Sequence, residues 1–236
     1  EEGEAMDRHE TFDRDQALAR IARFAGQVEQ RLAGEITEDQ FRPLRRANGG
    51  SLELHSYRLR VGVPEGALDA DQLRVLAHVA RRYDKGYCRF TVHGTVEFHW
   101  PSLIDIPAIL TDLATVWMQA VEVSDDGLSG DGSARHLDDG AAVTISLAAG
   151  GGMPGAVSAG QLEAVADLAE RFGSGEVRVG YGQTLILPNL APAALMALHA
   201  ALAAAGLATV RPVGTGRQPA QQPSRELFHV DETKAA

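Results

Sequence analysis

Residues 72–89 read QLRVLAHVARRYDKGYCR and residues 161–178 read QLEAVADLAERFGSGEVR, one phrase repeated at a constant offset of 89. Gln72 answers to Gln161, Leu73 to Leu162, Ala80 to Ala169, Gly86 to Gly175 and Arg89 to Arg178. Beyond the arginines, Thr95 and Val96 align with Thr184 and Leu185, and an apolar helix follows in both copies. A duplicated unit of about 70 residues predicts two similar modules packed about a pseudo-twofold axis over a shared core. Each site then has two aligned positions, so chemistry kept in one half and absent from the other can be read directly.

Around the repeated phrase the hydrophobic pattern alternates between strand and helix periods. In the first copy the pattern predicts a strand over Ser51–Val63, a turn at Pro64-Glu65-Gly66 and a helix over Asp69–Tyr83. A strand over Tyr87–Val92, a hairpin at His93-Gly94 and a returning strand over Thr95–Trp100 follow. A helix over Ile104–Ala114 and a closing strand over Trp117–Val123 complete the copy. The second copy predicts a strand over Val143–Leu147, a helix over Ala159–Phe172, strands over Glu176–Val179 and Thr184–Leu187 about a hairpin at Gly180–Gln183, and a helix over Pro192–Ala205. The order β-α-β-β-α-β is the ferredoxin-like pattern, so the expected class is α+β. The expected layout is an arm at 8–50, a half-domain at 51–123, a linker at 124–140, a half-domain at 141–210 and a disordered tail at 211–236. Pairing of the two facing edges into one continuous sheet, with helices on one side, would leave neither edge exposed.

The arm has no second copy. Leu18, Ile21, Phe24, Ala25, Val28 and Leu32 fall at helical spacing, and Gly34 fits a stop. Thr37-Glu-Asp-Gln40 reads as a capping box for a second helix, which Pro43 is expected to close. Arg42, Arg45 and Arg46 make a basic cluster, either a solvated helix end or an anion-facing approach to the first module. The linker SDDGLSGDGSARHLDDG is acidic and glycine-rich; Asp125, Asp126, Asp131, Asp138 and Asp139 lack the ligand order of a calcium loop. Gly150-Gly-Gly152 precedes Met153-Pro154 rather than a helix, and so reads as a turn and not a phosphate cradle. In the tail, poor in apolar residues, Leu227-Phe228-His229-Val230 is an isolated apolar patch.

Composition narrows the functional classes. With 22 basic and 32 acidic residues the net charge is −10, which argues against nucleic acid as a partner. No apolar run approaches the roughly 18–20 residues of a membrane span, and the acidic opening EEGEAMDRHE is not a secretory signal, so the expected location is the cytoplasm. The single cysteine, Cys88, allows no intramolecular disulfide and no cluster held by several thiolates of this chain. It alternates with Arg89 in an apolar strand and reads as a buried structural thiol. Glu97 and His99 share a strand face and form a conceivable metal pair, set against the plainer reading of an exposed strand face.

Three stretches of the first copy carry a family resemblance: Y-R-L-R-V-G-V-P-E-G-A-L (57–68), D-K-G-Y-C-R-F-T-V-H-G-T-V-E-F-H-W-P (84–101) and I-D-I-P-A-I-L-T-D-L-A (104–114). They resemble the first ferredoxin-like half-domain of sirohaem-dependent sulfite and nitrite reductases. The second copy, with M-P-G-A-V-S-A-G-Q-L-E-A-V-A-D-L-A-E-R-F-G-S-G-E-V-R-V (153–179) and Q-T-L-I-L-P-N-L (183–190), resembles that family's second half-domain. I-T-E-D-Q-F-R-P-L-R in the arm is similar to the family's opening segment. In that family a catalytic α/β domain follows each half-domain and supplies the cysteines of an iron–sulfur cluster, the bridge to sirohaem and the basic residues for the substrate anion. Here the first half-domain passes through a short linker into the second, and the second into the tail.

The hairpins depart as well. The family's first hairpin reads T-T-R-Q-N, its arginine turned toward tetrapyrrole carboxylates and substrate. Thr91-Val92-His93-Gly94-Thr95 replaces that arginine with His93, which loses a bidentate carboxylate clamp. The second hairpin, Gly180-Tyr181-Gly182-Gln183-Thr184, keeps Gln183. Arg60 is the best-retained anion-facing arginine, against the alternative of an ordinary strand-surface residue. The resemblance therefore implies Arg60, His93 and Gln183 as cofactor-facing positions.

The preferred expectation is a non-catalytic relative, a binding or regulatory module that contacts a protein partner or a tetrapyrrole-like ligand. The partner would be a second copy or a reductase-like subunit. An alternative is an accessory subunit that completes a sirohaem site in trans, with sirohaem on the partner and no cofactor held by this chain alone. A third is a small metal-dependent enzyme built on His93, His99 and Glu97.

Overall fold

The duplicated glutamines open the two helices that lie at the centre of the molecule. In the computed structural model, which describes residues 12–123, 141–147, 153–180 and 182–210, Gln72 and Gln161 each close a capping box. Asp69 Oδ1 accepts from the Gln72 backbone N–H at 2.7 Å while Gln72 Oε1 accepts from the Asp69 N–H at 2.9 Å. Ser158 and Gln161 repeat the exchange at 3.2 and 3.0 Å. Each glutamine has a second task, because its amide nitrogen donates to a carbonyl near the end of its module's second helix. Gln72 reaches Val116 O at 3.1 Å and Gln161 reaches Ala205 O at 3.4 Å, partners that are themselves 89 residues apart. A helix start and a helix end are thus tied by one side chain, which explains why both copies carry an amide there.

Helix α1 (Arg14–Leu32) begins at the Asp13 N-cap and buries Ala17, Ile21, Phe24 and Val28. Leu32 stays outside, more than half exposed. Helix α2 (Glu38–Ala47) opens on the expected Thr37–Gln40 capping box, but Pro43 lies within it instead of ending it. Buried Phe41, stacked on Phe24 at 6.0 Å, and buried Arg45 anchor the helix on both sides of the proline, which outweighs its one missing N–H. Strands β1 (Gly50–Glu53) and β2 (Ser56–Val61) form a hairpin where one long strand was expected. The apolar parity changes there, from Leu52 and Leu54 to Tyr57, Leu59 and Val61, and Leu54 takes a φ of +52° at the turn.

The remaining elements are β3 (Ala67–Asp69), α3 (Ala70–Tyr83), β4 (Tyr87–Phe90), β5 (Val96–Phe98), α4 (Ile106–Ala114), β6 (Ala141–Ser146), β7 (Ala156–Ser158), α5 (Ala159–Phe172), β8 (Glu176–Gly180), β9 (Thr184–Leu190), α6 (Leu195–Ala204) and β10 (Ala208–Val210). They make two five-stranded sheets, ordered β1-β2-β5-β4-β7 and β10-β6-β9-β8-β3, and not the single continuous sheet expected. The edges do not meet each other. Each is completed by a three-residue strand from the other module. Ala67, Leu68 and Asp69 lie opposite Arg178, Val177 and Glu176, while Ala156, Val157 and Ser158 lie opposite Arg89, Cys88 and Tyr87. Adding 89 to the borrowed residues 67–69 gives 156–158, and subtracting 89 from their partners 176–178 gives 87–89, so the exchange obeys the pseudo-twofold axis.

Behind the exchanged strands, α3 and α5 pack along each other. Arg81 forks onto Glu163 at 2.8 and 2.7 Å, and Arg74 forks onto Glu170 at 3.0 and 2.6 Å. Positions 74 and 81 are equivalent to 163 and 170, so the first copy is basic where the second is acidic. The apolar side chains of both modules join in one cluster that includes Phe24, Leu59, Leu76, Phe98, Val165 and Leu185. In the first module the expected closing strand shrinks to a bridge between Val61 and Ala120, because β1 occupies most of that edge of β2. The second module has no such hairpin, and β10 pairs fully with β6. Among the described residues no helix is long and apolar enough to cross a membrane. The expected linker, its aspartates, Gly150–Gly152 and the tail with Leu227–Val230 lie outside the described residues.

Two predictions test this organisation. Gln72→Glu keeps the cap but removes the donor to Val116 and should destabilise the chain by about 1–3 kcal/mol in urea unfolding. Arg81→Glu should lower the thermal midpoint, and adding Glu163→Arg should restore it beyond the sum of the single changes; strict additivity would mean that the pair contributes nothing.

Candidate functional site

Strands β2, β5 and β4 place alternate residues on opposite faces of the first sheet. Leu59, Val61, Cys88, Phe90, Val96 and Phe98 point to the core and are fully buried. The other face is polar. Arg60 stands opposite Glu97 in the β2–β5 register, and Arg89 stands opposite the same Glu97 in the β5–β4 register. One carboxylate therefore lies between two guanidinium groups in a single cross-strand row, with Arg58 two residues before Arg60 on the same face.

Glu97 is only 3% exposed. Arg60 directs Nε at 3.1 Å and Nη2 at 2.9 Å to its Oε1, and His99 Nε2 stands 3.6 Å from Oε2. Burial alone would push the carboxyl up. The neighbouring His99 imidazole, the hydrogen bonds from Arg60 and the charges of Arg60 and Arg58 overcome it, lowering the carboxyl from an ordinary 4.5 to about 2. Arg58 is held by Glu53 at 2.6 Å. Arg89 differs from both: its Nε is buried and has no hydrogen-bond partner.

The hairpin after β4 forms the rim. Thr91 Oγ1 lies 2.9 Å from Thr95 Oγ1 and accepts from the backbone N–H groups of Thr95 at 3.2 Å and His93 at 3.3 Å, while Gly94 supplies the positive φ of the turn. Between rim and sheet lies a cleft of about 250 Å³ lined by Arg58, Arg60, Arg89 and Glu97, with Thr91, Val92, His93 and Thr95 along its hairpin side. Three arginines facing one glutamate make this cleft cationic in a chain whose net charge is −10. Such a surface suits an anion carrying carboxylate or other oxygen acceptors.

Of the three residues singled out from sequence, the structure brings Arg60 and His93 together in the cleft. Gln183 lies on the other module's hairpin, 7% exposed and at φ +62°. Its side-chain amide donates to Pro154 O at 3.2 Å, and a Cβ on Gly155 would meet that amide nitrogen at 2.8 Å. It fastens its hairpin to the turn that leads into β7.

Arg58 and Arg89 were not anticipated from the sequence. The signal was present in the period-two alternation through Arg58, Arg60, Arg89 and Glu97. The Glu97–His99 pair is buried, where an exposed strand face was the plainer expectation. Among the described residues no three His, Cys, Asp or Glu side chains gather as a metal site. In the basic cluster of α2 Arg42 is exposed, as a solvated helix end would have it, and pairs with Asp39 at 2.7 Å, whereas Arg45 is buried against Glu38 at 2.8 Å. Cys88 is buried, and desolvation, with the Asp84 charge, pushes its thiol well above the ordinary range.

A carboxyl lowered by folding contributes stability above its unfolded pKa and loses it as the pH falls through the folded one. The stability advantage of the native chain over Glu97→Gln should therefore be full above about pH 5, roughly 3 kcal/mol, and vanish toward pH 2. Urea midpoints of both proteins across that range measure it. A difference that does not change with pH would contradict the ion-pair account.

No curated protein matches the chain. Among solved structures, the NirA protein of Mycobacterium tuberculosis superposes with a TM-score of 0.57 at 15% identity, over 73% of this chain. The chain spans 64% of that protein's length. The family model described as the nitrite/sulfite reductase ferredoxin-like half domain matches residues 53–116 and again residues 137–205, more than half of the chain and once in each module. With its duplicated modules, exchanged strands and both matches in order, this chain belongs to the nitrite/sulfite reductase ferredoxin-like half-domain family.

Proposed function

We propose that the chain is a non-catalytic scaffold of the nitrite/sulfite reductase type that binds the carboxylate-bearing edge of a sirohaem-like tetrapyrrole on the polar face of its first sheet. The observation that carries this reading is the convergence of Arg58, Arg60 and Arg89 on one cleft. Guanidinium groups on a rigid sheet are matched to carboxylates in charge and geometry. Arg60 and Arg89 would take the carboxylates, and His93 would lie at the rim. Sirohaem, when bound, supplies a redox-active iron; this chain supplies orientation and charge. We assign it no iron–sulfur cluster, because a cluster needs several thiolates and Cys88 is alone, buried and held protonated. The two modules are separated by too few residues to hold a catalytic domain between them, which supports a binding role over reduction; the location proposed for it is the cytoplasm.

The size of the cleft favours a second reading beside the first. About 250 Å³ lies below the ~300–1,000 Å³ usual for ligand pockets, so the cleft suits an edge and not a whole macrocycle. A partner polypeptide that covers the remainder would make the chain an accessory subunit completing a sirohaem site in trans.

Titration with sirohaem should give a saturable change in the Soret band and a rise in thermal midpoint, about 2.7 kcal/mol at ~100 times the dissociation constant. Arg60→Ala with Arg89→Ala should abolish both. Reduction of sulfite or nitrite by the purified chain with a chemical electron donor would overturn the non-catalytic reading. Absence of any response to sirohaem, alone or in complexes isolated from cells, would overturn the ligand.

A further inference from the structure

The two modules answer differently at equivalent positions of the polar face. Arg178 is the counterpart of Arg89, and its Nε donates to Glu176 Oε1 at 2.8 Å. The counterpart of Glu176 is Tyr87, which offers no carboxylate, and Arg89 Nε is left buried without a partner. Glu97 has Ile186 as its counterpart, paired in the same register across from Arg178. The fold therefore accepts an apolar residue at this place, so the buried carboxylate of the first module is not something the sheet requires. Burying an ionised group that the architecture does not need is costly, and its retention calls for a local reason.

From this we infer that Glu97 is a built-in occupant of the anion cleft: it holds Arg60 in reserve, leaves Arg89 as the residue of first contact, and restricts the cleft to multiply charged carboxylate or phosphate ligands able to compete for Arg60. Three observations support the assignment. Arg60 gives both Nε and Nη2 to one oxygen of Glu97, the type of bond that an external carboxylate would make. Arg58 is committed to Glu53. Arg89 alone of the three has no hydrogen-bond partner among the described residues, and Thr91 and Thr95 line the same cleft. A monoanion meets Arg89 but is repelled by Glu97 and gains nothing from Arg60. A polyanion can bind Arg89 with one group and displace Glu97 from Arg60 with another.

The inference rests on the reading of the cleft as an anion site, although not on the identity of sirohaem. Acetate, inorganic phosphate and citrate serve as probes at constant ionic strength, followed by the arginine Nε–H resonances of the native chain and by calorimetry. In the native chain citrate should move the Arg89 resonance at lower concentration than the Arg60 resonance, and acetate should leave Arg60 unmoved. Glu97→Gln should tighten citrate and phosphate on the order of tenfold and bring acetate into the measurable range. Arg89→Ala should abolish binding in either background. Arg60→Ala should weaken citrate in the native background and remove most of the gain from Glu97→Gln. Unchanged affinity in a folded Glu97→Gln protein, or an Arg60 resonance that responds before Arg89 in the native chain, overturns the inference. The resonance order needs no variant, so it decides the matter even where a substitution unfolds the protein. A chain that ignores sirohaem but shows this pattern loses the tetrapyrrole reading and keeps the role of Glu97.

Discussion

A sheet edge is a row of unpaired donors and acceptors, and in this molecule each module's edge is satisfied only by the other. Strand β4 has β7 as its outer neighbour and β8 has β3, and each borrowed strand leads at once into the helix that packs over the junction. The exchange fixes much else. It sets the N-caps at Asp69 and Ser158, because each is the last residue of its borrowed strand. It brings α3 against α5 and so places Arg74 and Arg81 within reach of Glu170 and Glu163. It also holds β4 rigidly between β5 and β7, which keeps Arg89 opposite Glu97.

With the scaffold fixed from both sides, the two polar faces were free to diverge. In the second sheet the row through Thr144, Ile186 and Arg178 holds no acid, and Arg178 is met by Glu176 on its own strand. In the first sheet the row through Arg60, Glu97 and Arg89 keeps one acid between two bases. The same backbone thus carries a silent face and a charged one. Differences between these faces cannot be ascribed to the fold, since the fold is common to both.

Much of this was legible in the sequence, and the illegible remainder has physical causes. The offset of 89 and the Gln72 and Gln161 caps are local signals, and the helices they open end where the hydrophobic period ends. Ala67-Leu68-Asp69 and Ala156-Val157-Ser158 are too short to show a strand period, and their partners lie 107–111 and 67–71 residues away in sequence. Without them the single continuous sheet is the natural inference. Arg60 and His93 were legible through family resemblance. Arg89 was visible only as half of a repeated pair, because its lack of a partner depends on Tyr87 standing where the second copy has Glu176. Gln183 was legible as a position but not as a fastener, since Pro154 reaches it only in three dimensions.

The borrowed strands also bear on how the chain is made. When the ribosome has completed β4, the strand that must cover it ends at Ser158, 68 residues further on from Phe90. At synthesis rates of ~5–20 residues per second, that edge stays open for roughly 3–14 s. During this interval the nascent first module presents Cys88 and Phe90, both destined for full burial, beside an unpaired ladder. A fold whose halves complete each other so evenly therefore begins life as a half that is open to the wrong neighbour, and nascent-chain holding factors would meet it in that interval.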